Sequence, residues 1–229
     1  MIKLIKLEWK KGNVKKYIRS AIIMTAILLS IILLVAGESE LEEPSGLYGM
    51  SIITYEVEVF THMCYMIFTG VMLSGFLVSA YENKTINLMF SYPIKRQKIL
   101  LSKVFAVWIF NVLALIISKL LIYGVLLLTA GYTRISTSSI PIGTTSFWLN
   151  IVLGSVAMIS ISYVALLVGM KMKSSKATIV TSVIVVLLTQ GNIGDFTLSN
   201  SIPFYAILLV LSVVSVYLML YNAETKDLI

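Results

Sequence analysis

The sequence predicts an all-α membrane protein with six transmembrane helices. Hydrophobic residues make up 58% of the 229 residues and charged residues only 13%, whereas a soluble domain carries about 25% charged residues. Several apolar runs approach the roughly 20 residues that a helix needs to cross a bilayer. Helices are favoured because lipid offers no partners for backbone amides, and the apolar runs are continuous rather than alternating as in a β-barrel.

Charge and cysteine content exclude other classes. A net charge of +7 could indicate a nucleic-acid-binding protein, but the basic residues flank apolar runs, as the positive-inside rule describes for membrane proteins. We therefore expect no nucleic-acid partner. Cys64 is the only cysteine, so the chain cannot form an internal disulfide. Glu-rich sequence follows the first apolar run where a signal peptide would carry a small-residue cleavage site, which favours a retained membrane anchor.

The N-terminal segment 1–16 predicts an amphipathic helix that lies on the membrane surface. Its apolar residues share one face and its lysines take the other. Trp9, Lys10 and Lys11 are the predicted anchors at the membrane interface. A solvated basic tail is the alternative.

Six apolar runs make the predicted spans, and the whole chain, 1–229, is predicted to be a single transmembrane domain. The spans lie at about 18–36, 59–80, 104–128, 147–170, 177–190 and 202–221. The fifth run is short, about 21 Å as a helix against a core of about 30 Å. We expect a non-helical or re-entrant piece, buried in protein, to follow it. Small residues in the second and fourth spans, including Gly70 and Gly169, predict close helix contacts.

The distribution of basic residues predicts the orientation. Sixteen of the 18 lie in the N-terminal segment through Arg19, in segment 81–103, in loop 171–176 and in the C-terminal tail. The alternate loops hold only Arg134. Both termini are therefore predicted to be cytoplasmic.

Lys119 lies inside the third predicted span and is a candidate for a translocation path. Asn111 and Tyr123 share its helix face, and ionisable residues within a membrane usually face a bundle interior or an aqueous path. The alternative is that the Lys119 side chain extends to the outer interface without another role. An ion relay would need a partner acid within the membrane, and the sequence suggests none.

Residues 47–58 could lie at the outer interface, and Glu56 and Glu58 argue against their deep burial. Glu58, His62 and Cys64 are too few for a convincing metal site, so we expect no metal and interpret His62 as an interfacial polar residue. The sequence contains no phosphate-binding glycine loop and no hydrolase or zinc-protease motif. An enzyme is therefore not expected.

Segment 81–103 is the longest patterned polar interruption between apolar runs. Ile86, Met89 and Phe90 fall on one face of a short helix, which Pro93 ends. Basic residues then lead into the third span.

This segment resembles the cytoplasmic loop of type-2 ABC exporter permeases, the superfamily of drug, peptide, antibiotic and polysaccharide exporters. The N-terminal segment is similar to the family's cytoplasmic elbow helix. Lys84 departs from the pattern, because the family usually has glycine there. The matching residues of the loop are Glu82, Thr85, Leu88, Ser91, Pro93, Arg96, Leu100, Leu101 and Lys103.

The resemblance implies a coupling helix that docks on a separate cytoplasmic ABC ATPase, present in two copies that bind ATP and Mg. This chain would bind no cofactor itself, and a second permease chain, identical or paralogous, is implied. The substrate would be hydrophobic or amphipathic, a peptide or an antimicrobial, exported across the plasma membrane. The implied docking residues are Glu82, Thr85, Ile86, Leu88, Met89, Phe90, Pro93 and Arg96.

Two other classes stay open at this point. One is a six-span ion-linked carrier or channel that uses Lys119 and Asn111. The other is a membrane enzyme or scaffold. A second charge inside the membrane would favour the carrier, and co-purification of an ATPase would favour the exporter.

Overall fold

The computed structural model describes residues 2–38, 52–83, 96–129, 143–190, 192–193, 196–197 and 202–225. Nearly all of them are helical. The helices are α1 (Ile2–Lys11), α2 (Val14–Glu38), α3 (Ile52–Leu73), α4 (Ser79–Glu82), α5 (Arg96–Thr129), α6 (Thr145–Ile161), α7 (Val164–Met172), α8 (Ser175–Gln190) and α9 (Ile202–Thr225). A π-helical turn, Ser74–Val78, joins α3 to α4.

Five stretches of the described residues are long and apolar enough to cross a membrane. They are Val14–Val35, Ile53–Glu82, Gln97–Thr129, Thr145–Met172 and Phe204–Tyr221. Helix α8 is apolar but shorter, as the sequence predicts for the fifth run. Its crossing of the membrane, and with it the total of six spans, stays a prediction.

The chain leaves the helical conformation after α8. Two short strands, β1 (Asn192–Ile193) and β2 (Phe196–Thr197), pair antiparallel, with Asn192 opposite Thr197. This agrees with the prediction of a non-helical piece at the end of the fifth run.

One predicted helix end is wrong, and one helix begins before its predicted span. The N-terminal helix ends at Lys11 rather than continuing to residue 16, because Asn13 has a φ of 50°, a left-handed conformation that does not continue a right-handed helix. Helix α3 begins at Ile52, seven residues before the predicted start of the second span at 59. Glu58 therefore lies inside a membrane-length helix.

Contacts within the chain group the residues into two compact units. The first unit comprises residues 1–14, 65–111 and 157–229, and the second comprises 15–64 and 112–156. Helices α3 and α5 each contribute residues to both units.

The second unit has an apolar core formed by α2, α3, α5 and α6. Tyr123 and Phe147 stack edge to face at its centre, with ring centroids 5.1 Å apart. Thr25 donates a hydrogen bond to the Ser118 hydroxyl at 3.1 Å, which joins α2 to α5. The buried core residues are Leu28, Ile32, Val57, Ile122, Tyr123, Leu126, Phe147 and Ile151.

The first unit is held by close contacts to α8. Gly70 and Gly169 approach this helix so closely that an added Cβ would collide with Ser182 and Thr178, respectively. These two contacts confirm the predicted close packing at Gly70 and Gly169.

Hydrogen bonds at the break between α6 and α7 also stabilise the first unit. At the break, the Tyr163 carbonyl accepts a hydrogen bond from the Ser215 hydroxyl at 2.9 Å, and the Tyr163 hydroxyl donates to the Val104 carbonyl at 2.9 Å. Both groups are buried, and buried polar groups need such partners. Tyr163 therefore connects the α6–α7 break to α5 and α9.

Candidate functional site

The second unit contains a buried ion pair between α3 and α5. The ammonium nitrogen of Lys119 lies 3.0 Å from Glu58 Oε2 and 2.9 Å from His62 Nε2. Glu58 and His62 are one turn apart on α3, with 3.5 Å between Oε2 and Nε2. We call these three residues the ion-pair cluster.

The chemistry of lysine fixes the roles within the cluster. When Lys119 is charged, its ammonium group can only donate hydrogen bonds, so His62 Nε2 then accepts and the imidazole proton lies on Nδ1. Lys119 thus donates to two acceptors, one charged and one neutral. The cluster contains one positive and one negative charge, which suits a buried position better than a lone cation.

Neighbouring residues complete the surroundings of the cluster. A Cβ added at Gly154 of α6 would lie 3.9 Å from Glu58 Oε2 and from His62. Tyr123 lies one turn after Lys119, and its buried hydroxyl has no hydrogen-bond partner among the described residues. The cluster therefore joins α3 to α5 and lies close to Gly154 of α6.

Two expectations about these residues are wrong. The Lys119 side chain is 0% exposed and paired, so it does not extend to the outer interface. Glu58 supplies the partner acid that the sequence did not suggest, because α3 begins earlier than predicted. His62 is buried against Lys119, and its position at the membrane interface stays a prediction.

Asn111 is part of the first unit, and the structure gives it contacts there. Its amide nitrogen donates to the Val107 carbonyl at 2.8 Å and lies 3.3 Å from the Met72 sulfur. Its carbonyl oxygen is buried without a partner among the described residues. The translocation path predicted from Asn111, Lys119 and Tyr123 stays a prediction.

In the first unit, a second buried lysine lies near the start of α5. The ammonium group of Lys103 donates to the Phe76 carbonyl at 3.0 Å, and its side chain is 4% exposed. Phe76 belongs to the π-helical turn, and such turns are frequent at functional sites. Lys103 therefore joins α5 to the turn that precedes segment 84–95.

Glu82 connects the end of α4 to the start of α8. Its Oε2 accepts hydrogen bonds from the Ser175 backbone N–H at 3.0 Å and from the Ser175 hydroxyl at 2.5 Å. The first N–H groups of a helix have no partner within the helix, so a carboxylate at this position is favourable. Glu82 is thus engaged within the chain.

Helix α1 also contacts α5. The indole N–H of Trp9 donates to the Ala106 carbonyl at 3.0 Å, while Lys10 and Lys11 are exposed. The role of these three residues as membrane anchors stays a prediction.

Most of the predicted docking residues lie outside the described residues. These are Thr85, Ile86, Leu88, Met89, Phe90 and Pro93. Glu82 lies at the end of α4 and Arg96 is the first residue of α5.

Comparison with known proteins identifies the family. Residues 4–189 match the family described as "ABC-2 family transporter protein", and this match covers most of the chain. The chain belongs to this family. A Bacillus subtilis (strain 168) protein, "Uncharacterized protein YcbO", is 25% identical to this chain over 231 residues. The match covers 98% of this chain and 99% of that protein. No solved structure matches the chain.

Membership in the ABC-2 family identifies the chain as the membrane-spanning permease subunit of an ABC transporter. Subunits of this kind associate with an ABC ATPase and normally carry no catalytic site of their own. This confirms the family resemblance seen in segment 81–103.

Proposed function

We propose that the chain is the permease of an ATP-driven exporter in the plasma membrane, with both termini cytoplasmic. It would move a hydrophobic or amphipathic substrate, a peptide or an antimicrobial. Two copies of a separate ATPase would bind ATP and Mg, and a second permease chain, identical or paralogous, would complete the transporter. Family membership and the anchoring of both ends of segment 84–95 support this proposal.

Two contacts that flank segment 84–95 are the main structural support for this proposal. On the side where the chain enters, Glu82 binds Ser175 at the start of α8. On the side where the chain leaves, Lys103 of α5 binds the Phe76 carbonyl of the π-helical turn. A displacement of the segment would therefore act on α4, α5 and α8 together.

These contacts suggest a division of roles within the coupling segment. The apolar residues Ile86, Leu88, Met89 and Phe90 would dock on the ATPase, with Thr85, Pro93 and Arg96 shaping the segment. Glu82 would instead position the segment through Ser175. ATP-driven closure of the two ATPases would then shift the helices between two states, since a ligand moves such an equilibrium through its differential affinity.

Co-purification tests the docking. The chain is co-expressed with a candidate ATPase, and the variant Met89→Asp/Phe90→Asp is expected to lose the ATPase, because two buried carboxylates would oppose apolar docking. The control Leu228→Asp/Ile229→Asp places the same change in the predicted cytoplasmic tail and should retain the ATPase. Retention of the ATPase by the docking variant would refute the coupling role.

An ion-linked carrier is the second candidate, because Glu58 supplies the second charge that this class needs. A carrier would conduct protons or ions without an ATPase. In liposomes that contain the permease alone and an internal pH-sensitive dye, we expect an imposed pH gradient to decay as in empty liposomes. Decay that depends on Lys119 would favour the carrier instead.

A further inference from the structure

Glu58 is the most accessible member of the ion-pair cluster. Its side chain is 18% exposed, whereas that of His62 is 6% exposed and that of Lys119 is 0% exposed. Part of the Glu58 side chain is therefore accessible at the surface of the helices. A carboxylate in a largely apolar setting selects for a cationic hydrogen-bond donor, since few other groups compensate its burial.

Lys119 already shows which chemical group this carboxylate accepts. The lysine is a primary ammonium on an aliphatic chain, bound to Glu58 Oε2 at 3.0 Å. It also holds a second acceptor, His62 Nε2, at 2.9 Å. If another ammonium took its place on Glu58, Lys119 would keep a hydrogen bond to His62, and the unpartnered hydroxyl of Tyr123 lies one turn away on the same helix.

We propose that Glu58 binds the ammonium group of an amphipathic molecule, and that Lys119 is the tethered amine that occupies this position when no ligand is bound. The proposal rests on the proposed function in one respect, because it identifies this ligand with the transported substrate. It assigns to that substrate a positive charge next to an apolar body.

The composition of the surrounding chain favours such a ligand. The cluster borders an apolar core that includes Val57 and Ile151, which suits the apolar body. Helix α3 carries two glutamates, Glu56 and Glu58, and no lysine or arginine. Its own charges therefore favour a cation over an anion.

The charges must balance when the ligand binds. Two ammonium groups beside one carboxylate would leave a buried cation without a counter-ion, which is costly. We therefore expect Lys119 to release its proton to water as the ligand ammonium binds Glu58. The titratable groups of the site are Glu58, His62, Lys119 and Tyr123.

Direct binding to the full chain tests the proposal. The chain is placed in phosphatidylcholine nanodiscs and titrated calorimetrically with octylammonium, 1-octanol or octanoate, with empty nanodiscs subtracted. We expect saturable binding of octylammonium at least about tenfold tighter than that of the two other probes, a difference of about 1.4 kcal/mol. Equal signals for all three probes would overturn the proposal.

Two variants distinguish a binding site from a structural ion pair. Glu58→Gln is expected to lose octylammonium binding. Lys119→Met removes the lysine ammonium group that competes for Glu58, so octylammonium should bind about tenfold more tightly. Glu56→Gln, on the same helix, is the control and should bind as the unmodified chain does. Loss of binding in both Glu58→Gln and Lys119→Met would show that the pair serves only to hold α3 and α5.

The binding experiment with octylammonium and the co-purification experiment with the ATPase can succeed or fail independently of each other. Octylammonium binding needs no ATPase, so it can fail while the ATPase still co-purifies with the chain, and the reverse can also occur. Proton release into a weakly buffered medium gives a second readout on the unmodified chain. Octylammonium binding without proton release would contradict the assigned role of Lys119.

Discussion

Two buried lysines of α5 differ in the groups that accept their hydrogen bonds. Lys103, in the first unit, donates to a backbone carbonyl of the π-helical turn, and Glu8 of α1 acts on it electrostatically. Lys119, in the second unit, donates directly to a carboxylate and an imidazole. The hydrogen bond described for Lys103 thus goes to a backbone dipole, whereas those of Lys119 include one to a charged partner.

The difference indicates different roles. A lysine on a backbone carbonyl fixes the geometry of the chain around that carbonyl, here the turn before segment 84–95. A lysine on a carboxylate occupies an anionic position that another cation could take. We therefore propose that Lys103 takes part in coupling to the ATPase and that the Glu58–Lys119 pair recognises a charged ligand.

The largest expected effect comes from removing the acid of the ion pair. Glu58→Met leaves Lys119 buried without its counter-ion, which should lower the free energy of unfolding by about 3–5 kcal/mol. Unfolding by SDS in mixed micelles, followed by far-UV circular dichroism, measures this change. Glu56→Met is the matched control, and an equal loss in that variant would contradict the importance of the pair.

A smaller effect is expected at the other lysine. Lys103→Met deprives the Phe76 carbonyl of its donor but also removes a buried charge, so we expect a loss of about 1–3 kcal/mol. The same SDS titration measures it, with Lys98→Met, which replaces an exposed lysine of the same helix, as the control. A loss larger than that of Glu58→Met would reverse the comparison.

The smallest effect on stability is expected at Glu82. Its carboxylate is exposed, so Glu82→Gln should leave the unfolding midpoint unchanged. Because the Ser175 contact would position the coupling segment, this variant should still lower the ATPase activity of the assembled complex. Unchanged ATPase activity would show that the contact has no part in coupling.

Much of the fold could be predicted from the sequence, because long apolar runs indicate helices of membrane-spanning length. The start of α3 could not, since Glu56 and Glu58 made residues 52–58 look like an interface segment. For the same reason, the sequence did not predict the ion pair between Glu58 and Lys119. Continuing the apolar periodicity of the second span back to Ile52 would have placed Glu58 inside the helix.

Other features depend on tertiary contacts that no local pattern reveals. The bond from Lys103 to the Phe76 carbonyl requires the π-helical turn, and the sequence around Ser74–Val78 carries no distinctive signal for one. The contact between Glu82 and Ser175 joins residues that are far apart in the chain. Glu82 was therefore predicted as a docking residue, and its partner within the chain was not foreseen.

A double-mutant cycle tests most directly whether Glu58 and Lys119 act as one unit. The free energies of unfolding of Glu58→Met, Lys119→Met and the double variant are compared with that of the unmodified chain. Since replacing both partners of a buried pair by apolar residues is often neutral or stabilising, the double variant should regain most of the loss of Glu58→Met. This corresponds to a coupling energy of about 3 kcal/mol or more, at the upper end of the range for residues in contact. Additive losses, with no coupling between the two positions, would contradict the ion pair.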